Sequence, residues 1–130
     1  MKILKLAIVP ALALGLGMLA QAQPGRYDAP SVSALVDRVH VDLDNAYNAW
    51  HLKHSDRDRL NHAEKELRDF AQKWNRRKFD KGELDDAIAA IQHVLDNNHM
   101  NGRERDALSD DVSQLRGMRE AYDRHELGPQ

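Results

Sequence analysis

The sequence predicts an all-α protein, and three observations point there. Apolar residues recur at spacings of three and four along nearly the whole chain after residue 30. Helix-start signals fall between those periodic stretches, at Ser55, Asp80 and Asn101. No window alternates convincingly with period two, so no strand is expected. Four amphipathic helices joined by short connections are expected to pack as an antiparallel four-helix bundle, or as two stacked helical hairpins.

The first helix is read from Val32, Leu35, Val36, Val39, Leu43, Ala46, Tyr47 and Trp50, with Asp37, His40, Asp44, Asn48 and His51 opposite. Ser55 with Asp58 three residues on resembles a capping box that opens the second helix, which buries Leu60, Ala63, Leu67, Phe70, Ala71 and Trp74. Its last turn is basic, as the negative end of a helix dipole prefers. The run "FDKGEL" places Asp80 at an N-cap, Glu83 three residues later, and Phe79 and Leu84 at the two staple positions. Leu84, Ala87, Ile88, Ile91, Val94 and Leu95 then face inward. Asn101 and Glu104 open the fourth helix, whose stripe is Leu108, Val112, Leu115, Met118 and Tyr122. Trp50 and Trp74 are read as core residues.

The chain also echoes itself. "LDNAYNAW" at 43–50 returns as "LDDAIAAI" at 84–91, an offset of 41, and residues 57–74 align with 105–122 at an offset of 48. The difference is two helical turns, which keeps apolar faces in register. An internal duplication of a helical hairpin is expected. Leucines, alanines and aromatics repeat while histidines do not, so the echo reads as core and caps, with no catalytic role.

Ahead of the helices, Lys2 and Lys5 precede an apolar stretch from Leu6 to Leu19, and Ala20-Gln21-Ala22 offers small residues for signal peptidase. Residues 1–22 are therefore expected to be a cleaved signal peptide, 23–30 a flexible N-terminal arm, and 31–127 one helical domain. The mature protein would be periplasmic or secreted, with no integral membrane segment after cleavage. Cleavage removes two of the 19 basic residues and none of the 21 acidic ones, a formal charge of −4 that points to no particular partner. The absence of cysteine excludes disulfides, thiolate metal sites, cysteine nucleophiles and lipid anchoring at a cysteine.

Alternating helix directions would bring the bends at 54–55 and 97–101 to one pole. His51, His54, His62, His93 and His99 crowd near it, with Met100. Neutral imidazole is the commonest metal ligand, so His51, His54, His62 and His99 are candidate ligands for zinc or copper. No HExxH signature is present, and the run after Asn97 lacks the twelfth-position Glu of a calcium loop. The other pole collects Lys73, Arg76, Arg77, Lys78 and Lys81, with Arg124 and His125. Arg76, Arg77, Lys78 and Lys81 are candidate anion ligands, for lipid headgroups or envelope polymers. Nucleic acid is not expected for an exported chain of negative charge. Asp106, Asp110 and Asp111 read as a solvated acidic face.

Phosphate loops and the GxSxG elbow are absent, and the serines lie at caps, near the mature start or on polar faces. No enzyme is expected, and no resident cofactor. In size, signal peptide and helical build the chain resembles the stress chaperones of the bacterial periplasm of the Spy and CpxP type. Their Leu-Thr-x-x-Gln motif is absent from residues 23–130, so the resemblance implies architecture and no function. The expectation is a non-enzymatic cell-envelope interaction module whose partner is an envelope protein or polymer. The alternative is a periplasmic divalent-metal binder using the polar histidines.

Overall fold

A computed structural model describes residues 27–49 and 52–127. The signal peptide expected at 1–22, the start of the arm, the core role of Trp50 and the ligand role of His51 lie outside the described residues. Those described form four helices, α1 (Ala29–Tyr47), α2 (His54–Asn75), α3 (Lys81–Asn97) and α4 (Gly102–Asp123), and no strand. No described helix is long and apolar enough to cross a membrane.

Local chemistry explains where each helix begins. Asp28 caps α1 by accepting from the Ser31 amide at 3.0 Å, and Pro30 sits in the first turn, where a missing N–H leaves nothing unpaired. The helix thus starts two residues before the expected 31. Tyr27, just outside it, is buried against α4 at Gly117, where an added Cβ would come within 2.8 Å of the tyrosine oxygen. The N-cap of α2 is Lys53, two residues before the expected Ser55. The decisive carboxylate is Asp56, which accepts from the Lys53 amide at 3.3 Å and from Arg59 Nη2 at 2.8 Å. Asp80 and Asn101 cap α3 and α4 as expected, accepting from the Glu83 amide at 3.0 Å and the Glu104 amide at 2.9 Å. Phe79 and Leu84, at the staple positions, are both buried.

The helices pack as a bundle in which α1 touches α2 and α4, and α3 touches the same two. Paired residues ascend one helix while descending its neighbour. Trp74 Nε1 donates to Ser33 Oγ at 3.2 Å and His40 meets Glu64 at 2.7 Å across α1 and α2. Across α3 and α4, Arg119 donates to Asp85 at 2.7 Å and Arg105 to the Leu95 carbonyl at 2.8 Å. One seam results, holding Val32, Leu43, Leu60, Phe70, Leu84, Ile91, Leu108, Leu115 and Met118 out of solvent. Burying side chains of this kind stabilises by about 1.5–3 kcal/mol each, before chain entropy is counted.

At one pole the seam closes with aromatic rings. Phe79 stacks on Tyr122 at 4.3 Å and meets Phe70 and Trp74 edge-on at 5.4 and 6.2 Å. It therefore joins the α2–α3 turn to three ring partners on two helices.

Helix ends and buried positions recur at an offset of 48, a different register from the echo. α2 and α4 each have 22 residues and start 48 residues apart. They also end alike, with Arg76 and Arg124 at the C-cap, then Arg77 and His125 at positive φ of 64° and 58°. The same offset of 48 superposes buried Val36, Val39, Leu43 and Ala46 of α1 on buried Leu84, Ala87, Ile91 and Val94 of α3. The echo at offset 41 instead aligns the end of α1 with the start of α3, and α1 stops at Tyr47, before the phrase is complete. Two helical turns separate the registers, so hydrophobic periodicity alone could not choose between them.

Phe79→Ala is expected to lower unfolding free energy by about 3–5 kcal/mol, as for other buried aromatics cut to alanine. Urea denaturation followed by circular dichroism checks this, and a loss below about 1 kcal/mol would show the ring cluster to be peripheral.

Candidate functional site

The bends before α2 and after α3 meet at one pole through a buried polar knot. Arg59 Nε donates to Asn98 Oδ1 at 2.6 Å, and Asn98 Nδ2 donates to the Asp56 carbonyl at 3.0 Å. Asp56 and Asn98 are both buried, and their hydrogen bonds tie the first turn of α2 to the residue that ends α3. Arg105 adds donations to the Leu95 and Asn98 carbonyls at the C-terminal end of α3. This knot uses Asp, Asn and Arg, and none of the histidines.

The histidines around it point outward. His54 is 92% exposed and lies 3.4 Å from Asp58, one turn along its own helix. His62 likewise stands 3.7 Å from Glu66. His93 contacts Asn97, and His99 lies exposed in a shallow groove with Met100 and Arg105. Among the described residues, no group of three metal-ligating side chains includes His54, His62, His93 or His99. Two such groups lie elsewhere: His40 with Asp44 and Glu64, and Glu66 with Asp69 and Glu83.

The first group spans α1 and α2. His40 Nδ1 is 2.7 Å from Glu64 Oε1, and its Nε2 is 3.6 Å from Asp44 Oδ2. Burial, then hydrogen bonding toward Asp44, pushes the Glu64 carboxyl above its ordinary value against the opposing pull of His40. The i,i+4 pair of His40 and Asp44 is visible in sequence. Glu64 joins them only once α1 and α2 are paired.

The basic pole divides into neutralised and unneutralised cations. Lys73 Nζ lies 2.9 Å from Asp80 Oδ2 and, with the Glu83 amide, holds that carboxyl below its usual range. Lys81 faces Asp123 at 4.0 Å, and Arg124 pairs with Glu126 at 3.1 Å. Arg76, Arg77 and Lys78 are exposed, and their side chains make no ion pair among the described residues. Their turn is nevertheless well defined, with the Arg77 amide donating to the Trp74 carbonyl at 2.8 Å and that of Lys78 to Lys73 at 3.0 Å.

One residue of the acidic face departs from the solvated reading. Asp111 is 1% exposed and sits between α1 and α4, with Arg38 Nε donating to its Oδ1 at 3.1 Å. Its Oδ2 is buried without a donor, and its neighbour is the Asp42 carboxylate, itself an acceptor. A hydrogen bond between the two carboxyls requires a proton. Burial first, and Asp42 second, push Asp111 up to about 7 against the pull of Arg38. The periodicity of α4 places Asp111 beside Val112, and only the packed α1 shows that this edge is closed.

No family model matches the chain, and no curated protein or solved structure matches it either. The candidate sites therefore stand on their own chemistry.

A carboxyl whose folded value lies above its unfolded value of 3.8 favours the native state at low pH and costs stability as pH rises towards about 7. Asp111→Asn keeps an acceptor for Arg38 and gains a donor towards Asp42. The variant is expected to gain on the parent as pH rises from 5 to 8. Urea midpoints at both values check this, and a difference that does not grow with pH would contradict a proton on Asp111.

Proposed function

We propose that the chain is an exported, non-enzymatic helical module that binds an anionic partner of the cell envelope through the basic turn between α2 and α3. The architecture assumed is an antiparallel, up-down-up-down bundle derived from a duplicated helical hairpin. Export rests on the leader read in residues 1–22, and the paired helix ends and shared buried register support the duplication.

One observation carries the binding proposal. Arg76, Arg77 and Lys78 stand exposed in succession and make no ion pair among the described residues, while Lys73, Lys81 and Arg124 around them are paired. Their backbone is held by the bonds that end α2, so the charges are presented from a fixed turn. Arg77 occupies the left-handed region at φ 64°, where a non-glycine residue costs about 1–2 kcal/mol. Glycine would serve the fold better there, and an arginine in a strained position fits a surface role. His125 repeats the same helix ending at α4, so the backbone form belongs to the repeat and the free cationic run to α2 alone. Val41, 53% exposed, is the one large hydrophobic left open among the described residues, which favours partners held by charge over apolar contact.

The chain as a whole carries a formal charge of −2, so retention on a polyanion must come from a local patch. The triple variant Arg76→Ser, Arg77→Gly, Lys78→Ser is expected to keep its helicity and to lose salt-sensitive retention on an immobilised anionic polymer. Equal retention of parent and variant at low salt would contradict the proposal.

A further inference from the structure

His40, Asp44 and Glu64 meet about halfway along the α1–α2 interface, away from both poles. One ligand atom from each lies within 4.8 Å of the other two. His40 and Asp44 are one turn apart on α1 and share a face, while Glu64 approaches from α2. The floor of this group is firm and its mouth is open. Glu64 is only 14% exposed, whereas His40 and Asp44 are 55% and 54% exposed. An ion could enter from solvent and retain water in its remaining positions.

Charge balance points the same way. Two carboxylates face a single imidazole, and no lysine or arginine pairs with any of the three among the described residues. Two carboxylates elsewhere are neutralised by cations, Asp69 by Lys65 at 2.9 Å and Asp85 by Arg119 at 2.7 Å. The acidic trio Glu66, Asp69 and Glu83 contains one of those neutralised groups and offers oxygen alone. The His40 group combines one nitrogen with two oxygens and leaves negative charge in excess.

We propose that His40, Asp44 and Glu64 form a divalent-cation site that joins α1 to α2. The nitrogen donor selects the class of ion. Zinc and its first-row neighbours accept imidazole with carboxylate at about 2.0–2.1 Å, whereas calcium and magnesium favour oxygen throughout. Tetrahedral ligands at that radius stand about 3.3 Å apart. The observed approaches are 2.7 Å from Glu64 to Nδ1 and 3.6 Å from Asp44 to Nε2. They involve different ring nitrogens, so one nitrogen takes the ion and the half-exposed Asp44 side chain swings to join it. The site is independent of the basic turn, and either can fail without the other.

Because the ion binds only the assembled pair of helices, it must raise the melting temperature. The test is thermal melting and titration calorimetry with zinc chloride, using the full chain without a histidine tag, and magnesium chloride as the comparison. Zinc well above its dissociation constant is expected to raise the melting temperature by at least about 5 °C with one ion per chain, and magnesium to leave it nearly unchanged. His40→Ala and Asp44→Asn are each expected to weaken zinc binding at least about tenfold, with circular dichroism showing that helix is retained. The triple variant His54→Ala, His62→Ala, His99→Ala should keep the parental affinity. The proposal is overturned if the parent shows no zinc shift, if both His40→Ala and Asp44→Asn bind as the parent does, or if the triple variant abolishes binding.

Discussion

Every feature of this protein depends on a seam that no helix can bury alone. Each helix carries a stripe of apolar side chains, and each stripe is covered by two neighbours. With no cysteine in the chain, nothing covalent assists this packing. Phe70, Leu115 and Met118 are fully buried, on helices that each touch two others. A change that separates one helix therefore exposes its own stripe and part of those of the two helices it touches, which couples the helices to one another.

The ends of the seam are closed by different chemistry. At the aromatic pole, Phe79 stacks between α2 and α4 and fixes how the α2–α3 turn leaves the bundle. That turn then holds its three free cations in a set position. At the other pole Asp56, Arg59 and Asn98 tie two bends together with hydrogen bonds that water would otherwise supply. α1 is held differently again, through Arg38 and Asp111 on one side and His40 and Glu64 on the other. These side attachments involve titratable groups, whereas the seam itself does not. Stability of the α1 contacts is thus open to pH and to cations in a way that the core is not.

Much of the fold was legible in the sequence, and the reasons are physical. Period-3.6 spacing located all four stripes, and the Asp80 and Asn101 caps were readable because a short acceptor three residues before a carboxylate has a local meaning. The start of α2 was missed because Asp56 caps from within the first turn while engaging Arg59, and Ser55 offered a more familiar pattern. The register of the sequence echo was ambiguous because two turns of helix preserve any stripe. The candidate site was far less legible. His40 with Asp44 could be seen as a pair, but Glu64 joins from another helix, and residues distant in sequence reveal such meetings only after packing. Crowding of histidines near one pole was a matter of chain position. It gave no information on where their side chains point, and those of His54 and His62 face solvent.

The helices share one seam, with the bends before α2 and after α3 at a common pole. Spin labels placed on His54→Cys and His99→Cys, in a chain otherwise free of cysteine, measure this directly by pulsed dipolar spectroscopy. A 22-residue helix such as α2 is about 33 Å long. A label separation well under that length, with a narrow distribution, is expected. A separation equal to the length of the helix or greater would contradict a common pole.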